Sequence, residues 1–104
     1  MKRMVIPHGE LHALGRRISW LDGCIVYAMA EGRSYEEFCD ARHRTIRRIG
    51  EIHAAYGMDV QPADEAAILT TVRILARGYG ADPDAAARLY ETRILPAARD
   101  ARAV

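Results

Sequence analysis

An apolar stripe at helical spacing runs through more than the first half of the chain and constrains its fold most strongly. Apolar residues recur at alternating three- and four-residue steps, the spacing of one face of an α-helix. The stripe begins with Leu11, Leu14, Ile18, Leu21, Ile25 and Ala28. It continues in phase through Gly32, Tyr35, Cys39, Arg42, Ile46, Ile49, His53 and Tyr56. Because the phase is kept over so many turns, we expect a single long helix.

A local signal in the middle of this stripe favours a different structure. The run Ser34-Tyr35-Glu36-Glu37 fits a capping box, in which a serine and a glutamate three residues later satisfy the first amides of a helix. Gly32, just before it, is a natural helix stop. These residues would allow an antiparallel hairpin bent at 32–34. We favour the long helix, kinked at Gly32, and keep the hairpin as the alternative.

A second, shorter helix is expected after a break at 57–61. Pro62 suits a first helical position, and Asp64 and Glu65 suit the positive end of a helix. The apolar spacing then continues until the glycines within 78–80 end the helix.

A third helix is expected from Asp82-Pro83-Asp84, which supplies an N-cap, a proline at the first position and an acid. Pro96 should kink or shorten this helix, and the tail after Arg99 is expected to fray. No segment alternates with a period of two, so no sheet is expected. The predicted fold is all-α, one domain spanning residues 1–104, with one long and two shorter helices.

Composition excludes several classes of function. The net charge is +1 with acids and bases interspersed, whereas a nucleic-acid binder needs a basic excess on one side. No long apolar run suggests a signal peptide or a membrane span. Cys24 and Cys39 lack metal-type spacing and fit reduced thiols of a cytoplasmic protein. No cofactor motif is present. His8 with His12, and Cys39 with His43, have a four-residue spacing that could share a metal ion, but such pairs are common by chance, so no metal site is expected.

Four segments in order resemble the AroQ class of chorismate mutases. Residues 11–22, LHALGRRISWLD, resemble the opening pattern Leu-x-x-Leu-Arg-x-x-Ile-Asp-x-Ile-Asp. Residues 25–31 resemble the following Ile-Val-x-Leu-Leu-x-x-Arg, residues 57–65 the start of the second helix, and residues 79–83 the Gly-Leu-Asp-Pro turn before the third. The resemblance implies an intertwined homodimer whose long first helices pair, and pericyclic chemistry on a small dianion.

Several charged positions of that family pattern are changed here. Gly15 and Gly32 stand where the family has arginines, Ser19 replaces an aspartate, and Asp64 replaces an arginine. The glutamine expected near the end of the third helix is absent, whereas Glu65 matches the acid of the pattern. Since such arginines grip carboxylates, ordinary mutase activity at family-like rates is not expected.

The resemblance implies Arg42, His53 and Glu65 as the residues that orient the substrate. The position of the family's lysine falls on His43 or on His53, depending on where an insertion between Gly32 and Ile49 is placed. Simpler interpretations stand beside each role. Arg42 could pair with an acid such as Glu65, His53 could be a histidine in an interface, and Glu65 could simply favour a helix start.

Further substrate-binding candidates are Arg16 and Arg33, which directly follow the two glycines, together with His43 and Gln61. For Arg16, as for the other arginines of these helices, a solvated helix face is the simpler interpretation.

Three functions remain open. The first is a divergent enzyme that binds or rearranges chorismate, isochorismate or a related small carboxylate, by mutase or pyruvate-lyase chemistry. The second is a non-catalytic dimeric binding or regulatory module, with a partner enzyme as its target. The third is a four-helix domain whose resemblance is coincidental. The family assignment depends on the stripe remaining one helix, because a reversal near Ser34 would close the stripe within one molecule.

Overall fold

The computed structural model describes residues 5–59 and 61–102 and confirms an all-α chain. The helices are α1 (His8–Ala30), α2 (Glu36–Ala55), α3 (Glu65–Tyr79), α4 (Pro83–Leu89) and α5 (Leu95–Arg102), with a π-helical turn at Tyr90–Ile94 that joins α4 to α5. The described residues contain no strand. None of the helices in these ranges is both long and apolar enough to cross a membrane.

The predicted long helix is wrong, because the chain reverses direction between α1 and α2. Gly32 adopts φ of 66°, a left-handed conformation that costs glycine little. Its amide donates to the carbonyl of Met29, and the Arg33 amide donates to that of Ala28 at 2.8 Å. This is a Schellman motif, which satisfies the last carbonyls of α1 and ends it. The hairpin alternative is the observed structure.

A glycine in the left-handed conformation also ends two other helices. Gly57 after α2 and Gly80 after α3 have φ of 63° and 81°, and each is followed by an amide that reaches back across the last turn. The helix starts are likewise determined by neighbouring residues. Asp64 caps α3 and Asp82 caps α4, each accepting a backbone N–H at 3.0 Å. The start of α4 is as predicted, whereas α3 begins at Glu65, after Pro62.

Pro96 lies inside the last helical rod rather than at its end. Proline has no amide to donate to the carbonyl four residues earlier, and its ring crowds that carbonyl. The π-helical turn immediately precedes α5, and such a widened turn is a common accommodation in an otherwise α-helical rod. The expected fraying after Arg99 is not seen, since α5 continues to Arg102.

Side-chain contacts define how the helices run. Asp22 of α1 meets Arg42 of α2, and Glu10 of α1 meets Arg48 of α2, so these two helices are antiparallel. Ion pairs likewise place α3 antiparallel to the rod formed by α4, the π turn and α5. Arg93 meets Glu36 at the start of α2, and Gly50 near its end lies against the backbone of 101–102, so α2 and the rod that ends in α5 run in the same direction.

The core lies where these helices converge. It consists of Ile25, Val26, Val72, Ala76, Ala86, Tyr90, Ile94 and Leu95. The stripe predicted to be shared by two protomers is instead buried within one chain, with Leu21 and Ile25 of α1 and Ile46 of α2 fully covered. The described chain is therefore a four-helix arrangement, counting α4, the π turn and α5 as one rod, rather than three helices.

Candidate functional site

A buried polar network links α1, α2 and the π turn at the centre of the molecule. Arg42 is only 3% exposed, and its Nε donates to Oδ1 of Asp22 at 2.7 Å. The Tyr90 hydroxyl donates to the same oxygen at 2.6 Å. The Arg42 guanidinium also lies over the Tyr90 ring, 5.7 Å from its centroid. Arg42 was predicted to face inward, and this is confirmed. Its partner is Asp22 rather than Glu65.

The network fixes the protonation of Tyr90. Burial, followed by the charge and hydrogen bond of Asp22, raises the pKa of the Tyr90 hydroxyl far above its ordinary value. The phenol therefore stays neutral and donates to the carboxylate. Because Asp22 accepts hydrogen bonds from both Arg42 and Tyr90, the Arg42 side chain is already ordered before a ligand binds. This lowers the conformational entropy that is lost on binding.

A cavity of about 120 Å³ opens beside Arg42, between α2 and the rod of the π turn and α5. Its lining comprises Cys39, Asp40, Arg42, His43, Ile46, Arg93, Ile94, Ala97 and Ala98. Arg42, Arg93 and His43 are its basic groups. Among the described residues, no hydrogen bond engages the Nη groups of Arg42. The buried side-chain atom that lacks a partner there is Nδ1 of His53, not an Nη atom of Arg42. In the part of the chain that the structure describes, the Nη groups of Arg42 are therefore not already engaged by another side chain.

The other cavity side chains restrict the chemistry. Arg93 is gripped through both Nη atoms by Glu36, which fixes it at the mouth. Burial raises the pKa of the Cys39 thiol, so it stays protonated and is a poor nucleophile. Asp40 adds an opposing charge at the rim. The cavity is thus suited to holding and orienting an anion by electrostatic contacts, not to covalent catalysis.

His53 and Gln61, both predicted site residues, line a different cavity. It has a volume of about 300 Å³ and is lined by Ile49, Gly50, His53, Met58, Asp59, Gln61 and Arg102. Nδ1 of His53 is buried without a hydrogen-bond partner among the described residues. Burial, then the charge of Arg42, lowers the pKa of Arg102. The two cavities thus lie along the same α2–α5 groove.

The structure does not bring Glu65 to either of these cavities. Both its carboxylate oxygens accept from Arg99, at 2.7 and 2.8 Å, and this hydrogen bonding lowers the pKa of Glu65. The predicted convergence of Arg42, His53 and Glu65 on one cavity is therefore not observed. Glu65 has a partner in the protein already.

The two arginines proposed as replacement anchors lie elsewhere on the surface. Arg16 lines an open hollow with Arg17 and Trp20 on α1, and Arg33 is exposed in the turn after α1. Neither contributes to the lining of the Arg42 cavity. Only Arg42 and His43, of the residues predicted, share that cavity.

Sequence reasoning missed Asp22, Tyr90 and Arg93. A signal for Asp22 was present, because it follows Ile18 by four residues and precedes Ile25 by three, beside the inward stripe. A carboxylate there and an arginine inside the same stripe are natural partners once α1 and α2 face each other. Tyr90 gave no such signal, since its hydroxyl is distinguished only by the acid it meets.

Within residues 5–59 and 61–102, no group of three or more histidine, cysteine or acidic side chains is placed to hold a metal ion. Comparison of the chain with protein-family models, with curated proteins and with solved structures found no match in any of the three.

Proposed function

We propose that this protein binds a small carboxylate in the Arg42 cavity. The observation that carries the proposal is a buried arginine whose Nε is held by Asp22 while its Nη groups have no partner among the described residues. Asp22 already compensates the charge of Arg42, and a carboxylate would supply acceptors for the Nη groups that Asp22 does not engage.

The composition of the cavity supports a carboxylate of limited size. Its lining brings together the N–H groups of Arg42, Arg93 and His43, with Asp22 and Glu36 already paired with the two arginines. Its volume of about 120 Å³ is below the ~300–1,000 Å³ of pockets that enclose drug-sized ligands. The carboxylate and a few carbons would be enclosed, flanked by Ile46 and Ile94, and a ring would project from the mouth.

We further propose that the ligand is chorismate, isochorismate or a related shikimate-derived acid. Only the ordered sequence motifs that resemble the AroQ class support this choice, because the reversal after Gly32 removes the single long helix on which the family assignment depended. Mutase or pyruvate-lyase chemistry needs positioning and cations only, which suits this cavity.

The alternative is a non-catalytic binding module, including one that regulates a partner enzyme. The missing arginines and glutamine of the family pattern favour it, since each lost cationic contact commonly costs about 10²–10³ in rate. The observed reversal after Gly32 also favours the simpler interpretation that the resemblance is coincidental. Turnover of chorismate or isochorismate distinguishes the enzyme from both the binding module and a coincidental resemblance.

Calorimetric titration of the full chain with pyruvate, benzoate, chorismate and isochorismate tests binding, and absorbance of the last two compounds tests turnover. The informative variant is Asp22→Asn/Arg42→Met, which removes the cavity arginine together with the charge of its partner. We expect carboxylate affinity to fall about tenfold, as for a lost charged hydrogen bond. Arg44→Gln, an exposed α2 residue outside the cavity lining, is the matched control and should bind as the parent does.

Saturable binding without turnover would support the module and oppose the enzyme. Absence of binding by all four compounds, or equal binding by a folded Asp22→Asn/Arg42→Met variant and the parent, would overturn the carboxylate proposal itself.

A further inference from the structure

A second stripe on α1 lies on the outside of the molecule, away from the Arg42 cavity. It consists of Arg16, Trp20, Gly23, Cys24, Tyr27 and Glu31, which recur at the spacing of one helix face. Trp20 is 63% exposed and Tyr27 49% exposed, although large aromatic side chains are usually more covered. Arg16 and Glu31 are exposed, and neither forms an ion pair with another described residue.

A groove beside this stripe has the shape to receive an aromatic side chain. Its volume is about 350 Å³, and it is lined by Ser19, Trp20, Gly23, Cys24, Tyr27, Leu75 and Tyr79. Tyr79 of α3 packs edge-on against Tyr27, with ring centroids 5.3 Å apart, and forms one wall. The small residues Gly23 and Cys24 contribute to the lining, and the Tyr79 hydroxyl lies beside Gly23, 3.8 Å from where a Cβ would be.

The order of residues along the stripe is self-complementary. If two copies of α1 pack antiparallel about a two-fold axis between Gly23 and Cys24, Trp20 of each copy lies opposite Tyr27 of the other. In the same register Arg16 of each copy lies opposite Glu31 of the other. A two-fold interface requires this reciprocity, because the same patch must serve both partners. The opposite charges lie at the ends of the stripe and the apolar residues lie between them.

We propose that this outer face of α1, with Leu75 and Tyr79 of α3, binds a second copy of the chain as an antiparallel dimer. Trp20 of each copy fills the groove of the other, and the two Arg16–Glu31 pairs close its rim and fix the register. This surface is distinct from the inward stripe that the sequence suggested for an intertwined dimer. It leaves the Arg42 cavity, on the α2–α5 side, open to its ligand.

Trp20 is the only tryptophan of the chain, so its fluorescence reports directly on this face. Raising the concentration of the full chain should shift its emission to the blue while sedimentation shows a monomer giving way to a dimer. Trp20→Ala should raise the dimer dissociation constant at least about tenfold, as for a central aromatic anchor. Circular dichroism checks that the helices remain, which is expected since Trp20 lies outside the core.

Charge reversal tests the register. Arg16→Glu alone and Glu31→Arg alone each place like charges opposite one another twice and should weaken the dimer by about 2- to 30-fold. An equimolar mixture of the two variants should associate as well as the parent, because every pair is again of opposite charge in the mixed dimer. Arg47→Glu on α2 is the control and should leave association unchanged.

A monomer at every concentration would overturn the proposal. So would a dimer that Trp20→Ala leaves as tight as the parent, since association would then use another face. Failure of the mixture to recover, with both single variants weakened, would overturn the antiparallel register.

Discussion

Arg42 and Asp22 form an ion pair at 2.7 Å between α2 and α1, with side chains only 4% and 14% exposed. The pair joins the two halves of the hairpin and positions the arginine of the candidate site. Breaking such a pair leaves one charge buried and uncompensated, whereas replacing both partners by apolar groups is often tolerated.

We therefore expect Asp22→Asn to destabilise the fold by about 3–5 kcal/mol. Adding Arg42→Met to it should recover a large part of this loss, because the unpaired charge is then gone. Urea unfolding of the three proteins measures both effects. Glu10→Gln, which breaks the exposed pair with Arg48, is the control and should cost less than about 1 kcal/mol. A double variant as unstable as the single one would contradict this account.

Tyr90→Phe tests the hydrogen bond that completes the network. The ring remains in the core and over Arg42, while the hydroxyl that donates to Asp22 at 2.6 Å is lost. A hydrogen bond to a charged acceptor contributes about 1.5–3 kcal/mol, so unfolding in urea should show a loss of that size. Carboxylate affinity should also fall, because Arg42 would be held less firmly. Unchanged stability would mean that Asp22 is satisfied without the phenol.

The helix ends were the most predictable part of this fold because their causes are local. Asp82 with Pro83 predicts the start of α4, and Gly57 and Gly80 predict the ends of α2 and α3. The sequence did not distinguish the hairpin from a single long helix in the same way. Gly32 and Tyr35 continue the stripe in phase, and an inward stripe has the same pattern whether it is buried against a second chain or against its own.

The candidate site was less predictable than the fold. Arg42 stood out because a charge inside an apolar stripe needs a partner, but the partner depends on which helices face each other. Glu65 matched the family acid by position, yet it is engaged by Arg99 across the α3–α5 contact. His53 shares the stripe with Arg42 and still lines another cavity, because the two lie on successive parts of the α2–α5 groove.

Two surface ion pairs predict a loss of stability in acid. Hydrogen bonds from Arg93 and Arg99 lower the pKa of Glu36 and Glu65 in the folded chain. A carboxyl with a depressed folded pKa contributes stability above its unfolded pKa, about 4.3 for glutamate, and this is lost as the pH falls through the folded pKa. Urea unfolding from neutral pH downward should therefore show declining stability in that acidic range.

The variant Glu36→Gln/Glu65→Gln should show a shallower decline over the same pH range, because the two carboxylates that titrate are absent. Glu91→Gln removes an exposed carboxylate for which no described ion pair is seen, and it should follow the parent curve. Identical curves for the parent and the double variant would exclude these pairs as the source of the pH dependence.

Gly50 marks the closest approach of α2 and α5. A methyl group added there would lie 3.5 Å from the Ala101 carbonyl oxygen, an ordinary contact. Since alanine favours a helix over glycine by up to about 1 kcal/mol, Gly50→Ala should be neutral or stabilising. Gly50→Leu should instead force the helices apart and cost about 1–3 kcal/mol. Thermal unfolding compares the alanine and leucine variants. A destabilised Gly50→Ala protein would mean that the contact between α2 and α5 does not accommodate even a methyl group.

Gly32 is the residue on which the reversal of the chain depends. Its φ of 66° disfavours any side chain by about 1–2 kcal/mol, so Gly32→Ala should destabilise the folded chain by that amount. Gly15, in the exposed middle of α1 with open space around it, is the matched control: Gly15→Ala should stabilise by about 0.5–1 kcal/mol. Urea unfolding gives both values. Sedimentation in a Trp20→Ala background, where the proposed α1 dimer is weakened, shows whether the alanine at position 32 lets α1 and α2 join into one helix shared by two chains. A Gly32→Ala protein as stable as the parent and unchanged in its association would show that the turn tolerates a side chain and that contacts across the hairpin, led by Arg42 and Asp22, suffice to hold it.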